Sequence, residues 1–311
     1  HDVVCSHLYH TGYMQALYAD LIVRLQLGGS TGTVPNGDGA SPTDAVHFKL
    51  HRIIAIRSPY FASALAEMEA NGEYAPVATL TIHQHDPNLT PEGLSIAFGH
   101  LYGLFSQSHL TDGSDHDLPP QQRSARLRSV LSAATLLQLD DLASLAGELI
   151  KSDISRTTVL DYCHFASHPD FGASYGKHSQ DIREAVLVYL TRGVVRDVAD
   201  QFGIVWGNRD GEGYKELVAT FAELPFEWLK KVVESKGFEV PGDMERFNFA
   251  KEIVALRQRR RQAGGGGNPR AGGPPAGATV PNRLLAGEEN VLLAFGSKDR
   301  SGVTIVRKAV R

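Results

Sequence analysis

Phe48-Lys49-Leu50-His51-Arg52-Ile53-Ile54-Ala55-Ile56-Arg57-Ser58-Pro59-Tyr60-Phe61 carries three structural signals in fourteen residues. Residues 46–50 read as a strand, and residues 51–57 and then 58–68 read as helical. Ser58-Pro59 divides the two helical pieces. A serine hydroxyl can accept an orphan amide of the first turn, and a proline at the first helical position gives up an N–H that the helix could not use.

Before this stretch, residues 19–26, Ala-Asp-Leu-Ile-Val-Arg-Leu-Gln, place Leu21, Val23 and Leu25 on one face of a strand. Between the two strands, residues 28–44 hold five glycines and two prolines with no aromatic residue, Lys or Arg. We read them as a flexible insertion at a hairpin tip. After it, residues 79–84 alternate as a third strand, and Thr90-Pro91-Glu92 opens a helix whose Leu94, Ala97, Phe98, Leu101 and Leu104 share a face. A polar insertion at 106–122 leads to two amphipathic helices, one carrying Leu127, Val130, Leu131 and Ala134, the other Leu142, Leu145, Ala146, Leu149 and Ile150. Short strands and helices make residues 19–154 one α+β unit, preceded by an N-terminal segment, 1–18.

Residues 155–262 read as all-helical. Pro225 starts a helix with Phe226, Leu229, Val232 and Val233, and Asp243 starts another with Phe247, Ala250, Ile253 and Val254 facing the core. Residues 263–281 form a Gly/Pro-rich linker expected to be disordered. Residues 282–311 are a C-terminal segment in which 291–295 and 303–306 suit a short β-hairpin. A two-stranded hairpin is not stable alone, so it should dock on something.

At 311 residues and 42% apolar content, the chain can fill two cores without disulfides. Its two cysteines, Cys5 and Cys163, have no paired spacing, which fits an intracellular setting, cytoplasmic, nuclear or both. No apolar run approaches the roughly 20 residues of a membrane span. The first residue is His1, so a true start and any targeting signal are not read. Residues from Lys251 onward hold 12 basic and 4 acidic side chains, against 19 and 31 before it, so the tail is +8 and the body -12. Such a tail can touch an anionic partner while the body cannot.

Motifs for chemistry are weak. Gly28-Gly29-Ser30-Thr31-Gly32 matches a nucleophile elbow, but Thr33-Val34-Pro35-Asn36-Gly37 cannot supply the helix that the elbow requires. Gly172-Ala-Ser-Tyr-Gly176-Lys177 is one residue short of a phosphate loop and has His178 where Ser or Thr belongs, so we read it as a loop. His83, His85 and Asp86 could supply three metal ligands on one strand, without a fourth, and His7 and His10 offer less. No catalytic residue, cofactor or metal is expected. Arg257, Arg259, Arg260 and Arg261 end the last helix, where cations complement the helix dipole; the alternative is a nuclear-import signal or an anion-binding patch.

Ala19-Asp20-Leu-Ile-Val, Phe48-Lys-Leu-His51-Arg52-Ile-Ile-Ala, Arg57-Ser58-Pro59-Tyr60-Phe61 and Leu101-Tyr102-Gly103 together resemble a BTB/POZ domain. The helical region that follows is similar to a BACK-type domain. Leu224-Pro225-Phe226-Glu227-Trp228-Leu229-Lys230 and Glu245-Arg246-Phe247-Asn248-Phe249-Ala250-Lys251, with Gly287-Glu288-Glu289 and Val303-Thr-Ile-Val-Arg307-Lys308 in the tail, look like fungal germ-cell-less-type proteins. The resemblance implies a non-enzymatic adaptor that forms a homodimer. It further implies that the adaptor recruits an unknown protein substrate to a cullin-RING ubiquitin ligase. The alternative is a nuclear dimeric scaffold or transcriptional co-regulator that binds no cullin. Nucleic acid is not expected as a partner.

The same resemblance makes Asp20 and Arg52 a charged pocket near the dimer interface, whereas the residues alone also allow Asp20 to end a turn and Arg52 to cap a helix. It makes His51, Ser58, Pro59, Tyr60 and Phe61 the fold motif, with His51 expected to be packed and hydrogen-bonded. Leu101 and Tyr102, together with Leu110 and Asp112 imitating a hydrophobic-x-acidic contact, would face the cullin.

Overall fold

The computed structural model describes residues 2–27, 45–73, 75–103, 110, 118–264, 291–295 and 303–307. Two compact units emerge: His1–Asp153 with Pro169–Ile182, and Ile154–His168 with Arg183–Arg311. Among the described residues the first is a small mixed sheet with helices, and the second is helical apart from one hairpin.

In the first unit, helix α1 (Asp2–His7) runs into a π-helical stretch, Leu8–Met14. Strands β1 (Leu21–Gln26), β2 (Ala45–Leu50) and β3 (Ala78–His83) form a sheet in the order β2-β1-β3. β2 is antiparallel to β1, with Leu21 opposite Leu50 and Val23 opposite Phe48, and β3 is parallel to it, with Leu21 opposite Ala78 and Leu25 opposite Ile82. Central placement explains why Leu21, Val23 and Leu25 lose all solvent contact. Their side chains sit on one face at the period of two.

α2 (Arg52–Ala55) and α3 (Pro59–Ala70) are divided at Ser58. The buried Ser58 hydroxyl accepts the Phe61 amide at 3.4 Å and donates to the Leu137 carbonyl at 2.6 Å. One hydroxyl therefore starts α3 and fastens it to the end of a distant helix. α4 (Pro91–Leu101) opens in the same way, with Thr90 Oγ1 accepting from Gly93 N–H at 3.2 Å. α5 (Pro120–Leu136) and α6 (Asp140–Asp153) complete the layer. α4 and α5 cross closely at Gly93, where a Cβ would lie 2.0 Å from Ser129 Oγ and 2.6 Å from its carbonyl oxygen.

Residues 169–182, expected within the helical second domain, group with the first unit. α8 (Phe171–Tyr175), which follows α7 (Val159–Ala166) of the second unit in the chain, packs against α5. Its Tyr175 hydroxyl makes a short hydrogen bond to Asp86 Oδ2, which also accepts from Ser132 Oγ at 2.8 Å. The Gly172 to Lys177 motif is thus a helix followed by Gly176 at φ +50°, not the loop expected from sequence.

The second unit continues from within α9 (Lys177–Val188), through a π-helical turn at Tyr189–Gly193, into α10 (Val194–Phe202), α11 (Glu212–Glu223), α12 (Phe226–Glu234) and α13 (Asp243–Gly264). Tyr214, Phe221, Phe238 and Phe249 form an aromatic core with Trp206, their ring centroids 5.2 to 6.1 Å apart. The inward face of α13 differs from the apolar stripe read above. Arg246, Phe249, Ala250, Ile253 and Arg257 are buried, while Phe247 and Val254 are half-buried. Two arginines belong to the core face because their guanidiniums satisfy helix ends. Arg246 Nη1 donates to the Val233 and Ser235 carbonyls at 3.2 and 2.9 Å. Arg257 donates to the Ala222 carbonyl at 3.0 Å and makes a short bond to that of Leu224.

β4 (Val291–Phe295) and β5 (Val303–Arg307) pair antiparallel, and the hairpin packs on α12 and α13.

Candidate functional site

The sequence motifs of the first unit converge on the end of β1. Asp20 joins all three strands there. Its N–H donates to the Leu50 carbonyl of β2 at 3.1 Å, and its carbonyl accepts the Ala78 amide of β3 at 2.9 Å. Its carboxylate accepts the backbone N–H of Arg52 at 2.8 Å, satisfying an orphan donor at the start of α2. Arg52 returns the contact through Nε, which donates to the Asp20 carbonyl at 3.1 Å, and its Nη2 donates to the Ala75 carbonyl at 2.5 Å. Asp20 and Arg52 thus meet through main-chain groups and not as a carboxylate–guanidinium pair. Both are half-buried, so the cost of breaking a fully buried ion pair does not apply.

His51 stands beside this knot, in extended conformation just before α2. Its Nε2 lies 2.7 Å from the Leu17 carbonyl, which can only accept, so Nε2 carries the proton. In the neutral ring Nδ1 then accepts, and the Tyr102 hydroxyl 2.8 Å away donates to it while accepting the His51 backbone N–H at 3.0 Å. Burial pushes the Tyr102 phenol up to about 12, and the His51 N–H bond opposes this only in part. The hydroxyl therefore keeps its proton at neutral pH.

Tyr102 stacks on Tyr13 at 5.1 Å, and Tyr13 donates to the Ser95 carbonyl at 2.9 Å. Tyr9 lies over Gly99, where a Cβ would come within 3.1 Å of its ring. The N-terminal stretch thus lies along α4. Nothing in the reading of residues 1–18 suggested this, although two tyrosines four apart, at 9 and 13, are a signal that could have been used.

Leu101 and Tyr102, expected to face a cullin, are each only 2% exposed, and Leu110 is fully buried. They support the surface instead of forming it. Asp112 and Gly28 to Gly32 lie outside the described residues. Close in sequence to the Asp20–Arg52 knot the unit exposes several large apolar side chains. Tyr18 is 92% and Ile53 72% exposed, and Leu17, Ile56 and Val77 are exposed as well. Ala16 and Tyr18 both hold left-handed backbone, φ +53° and +60°, which costs a non-glycine residue on the order of 1 kcal/mol.

The other candidates take structural places. His83 and His85 are exposed with rings 6.3 Å apart. The Asp86 carboxylate is occupied by Tyr175, Ser132 and Asn88. His7 Nδ1 pairs with Thr11 Oγ1 at 3.2 Å. Among the described residues no group of three or more His, Cys, Asp or Glu could hold a metal ion. No helix among them is long and apolar enough to cross a membrane. Of the arginine cluster, Arg257 is buried on helix carbonyls, Arg260 pairs with Glu223 at 3.2 Å, and Arg259 is exposed. The Arg261 side chain lies outside the described ones. Arg257 is therefore a capping residue and is removed from any surface patch.

No protein-family model matches the chain. Curated proteins do match part of it. Germ cell-less protein-like 1 of mouse and of human are each 30% identical to it over 115 residues, and human Germ cell-less protein-like 2 is 29% identical over a stretch of the same length. The match takes in 37% of this chain and 19% of each relative's length. The likeness supports a BTB-type relationship for the matched stretch only loosely.

Proposed function

We propose that the chain is a dimeric protein-interaction adaptor without an active site, and that it recruits a protein to a cullin-RING ubiquitin ligase. One observation carries the pairing: Tyr18 and Ile53 stand exposed beside the Asp20–Arg52 knot. Ile53 directly follows Arg52, Tyr18 precedes Asp20 by two residues, and exposed Val77 precedes the Ala78 that bonds Asp20. Large apolar groups held out on a short helix and a strained turn gain by being covered, and a two-fold pair covers the same patch on both copies. The knot beneath fixes their geometry.

The family resemblance and the partial likeness to germ cell-less-like proteins support an adaptor. The cullin rests on the resemblance alone, and any contact would use groups outside buried Leu101, Tyr102 and Leu110.

Light scattering of the purified chain tests the reading. We expect a dimer that becomes a monomer on Tyr18→Asp with Ile53→Asp, and a larger complex when the wild-type chain meets a cullin N-terminal domain. A wild-type monomer at about 10 μM would overturn the pairing, since stable dimers form well below that. A dimer that ignores the cullin would remove the ligase.

A further inference from the structure

The C-terminal hairpin meets the second unit through an unusual polar contact. Glu234 is the last residue of α12, where the partial negative charge of the helix end disfavours an acid. Its Oε1 accepts the backbone N–H of Ile305 in β5 at 3.0 Å. On either side of Glu234, the Val233 and Ser235 carbonyls are taken by Arg246. Arg246 thus sets a guanidinium at this helix end, and the glutamate reads an amide, a group that every residue but proline offers. Sequence discrimination falls to Val303 and Ile305, two apart on one face of β5 and both buried, while Thr304 between them is exposed. β5 lies along α12 and α13 and is paired only with β4 among the described residues. Residues 265–290 join α13 to the hairpin along the chain.

We propose that the face of α12 and α13 is a strand-docking site. β5 fills it from within the chain, and an extended segment of a partner, with β-branched apolar residues two apart, takes it over. Glu234 anchors the incoming main chain, and the sites of Val303 and Ile305 receive its side chains. Main-chain bonding that supplies affinity, with alternate side chains that supply selectivity, is the general logic of strand recognition. The hairpin is then an internal competitor that keeps the site closed until a matching segment arrives. The site lies wholly in the second unit and depends on neither pairing nor a cullin. Only the identity of the partner as a recruited protein rests on the adaptor reading.

The test uses the full chain with a protease recognition sequence inserted between residues 265 and 290, and a fluorescent synthetic peptide of residues 291–307. After cutting, anisotropy should report peptide binding. The uncut chain should bind about a hundredfold more weakly, because its own hairpin competes at an effective concentration of about a millimolar. Glu234→Ala should weaken binding to the cut chain about tenfold, and a peptide carrying Val303→Asp and Ile305→Asp should not bind. A cut chain that keeps its helical circular dichroism yet takes up no peptide at about 100 μM would overturn the proposal, as would binding indifferent to Glu234. Ile305→Asp in the uncut chain gives a second reading. Rising peptide uptake with helix content intact supports a displaceable strand. Loss of the cooperative helical melt without uptake would make the strand part of the core, and the proposal would fall.

Discussion

His51 and Tyr102 meet twice at a single hydroxyl: Tyr102 accepts the His51 main-chain N–H at 3.0 Å and, with the imidazole neutral, donates to its ring Nδ1 at 2.8 Å. With Nε2 on the Leu17 carbonyl at 2.7 Å, the imidazole ties the N-terminal stretch, the start of α2 and the end of α4 into one set of bonds. Removing the hydroxyl leaves two groups unpaired at once. Tyr102→Phe should cost about 1–3 kcal/mol in urea unfolding. In a double-mutant cycle with His51→Ala the effects should be non-additive by at least about 0.5 kcal/mol. Strict additivity would mean that the bond between the hydroxyl and the ring carries no energy of its own.

Asp86 and Tyr175 make stability depend on pH at both ends. Burial would raise the Asp86 carboxyl, but donation from Tyr175, Asn88 and Ser132 outweighs it, and the group is held below its ordinary 3.8. Its contribution is present above that value and is lost as pH falls through the lowered one. Tyr175 is raised, by burial and then by its bond to Asp86. Its contribution is present below the ordinary phenol value of 10.0 and is lost as pH rises beyond it. Melting temperatures across pH should show Tyr175→Phe flattening both the acid and the alkaline fall. Unchanged slopes would separate the pair from the pH dependence.

Gly93→Ala would put a methyl group 2.0 Å from Ser129 Oγ and 2.6 Å from the Ser129 carbonyl. The second contact is main chain, so α4 and α5 must move apart. A loss of about 2–3 kcal/mol is expected in chemical denaturation. Adding Ser129→Ala should restore little, because it leaves the carbonyl in place, and a full rescue would contradict the crossing geometry.

Arginines at 257, 259 and 260 look alike in sequence and should behave differently. Arg257→Ala strips two buried helix-end carbonyls of their donor and should cost about 2–4 kcal/mol. Arg259→Ala and Arg260→Ala, on the exposed side, should each stay within about 0.5 kcal/mol. Guanidinium denaturation of the three variants checks the order, and equal effects would return Arg257 to the surface.

Local patterning made much of the architecture legible. Alternation at Leu21, Val23 and Leu25 marks a strand wherever it lies, and Ser58-Pro59 and Thr90-Pro91 mark helix starts because capping needs only neighbouring residues. The hairpin expected at 291–295 and 303–306 was legible as two short apolar runs around a turn-forming stretch, and its second strand extends to Arg307. Pairing at a distance leaves no such local trace. That Tyr175 crosses to Asp86, that Tyr13 lies on Tyr102, and that Arg246 and Arg257 belong to a core face could not be read from the period of the apolar residues. A guanidinium satisfying a buried carbonyl and one facing water have the same sequence spacing.

The sequence by itself determined most of the strands and helices, though not the helix Phe171–Tyr175 or those of the N-terminal stretch, and that Asp20, His51, Arg52 and Ser58 fall at element boundaries. Covalent neighbours and side-chain period decide those. Only the tertiary structure decided what each boundary residue bonds to. It showed Asp20 and Arg52, expected to form a charged pocket, joined in a main-chain knot. It drew Leu101 and Tyr102 from an expected contact surface into the interior, and left Tyr18 and Ile53 outside. Burial is settled by what packs against a face, and that partner can lie anywhere along the chain.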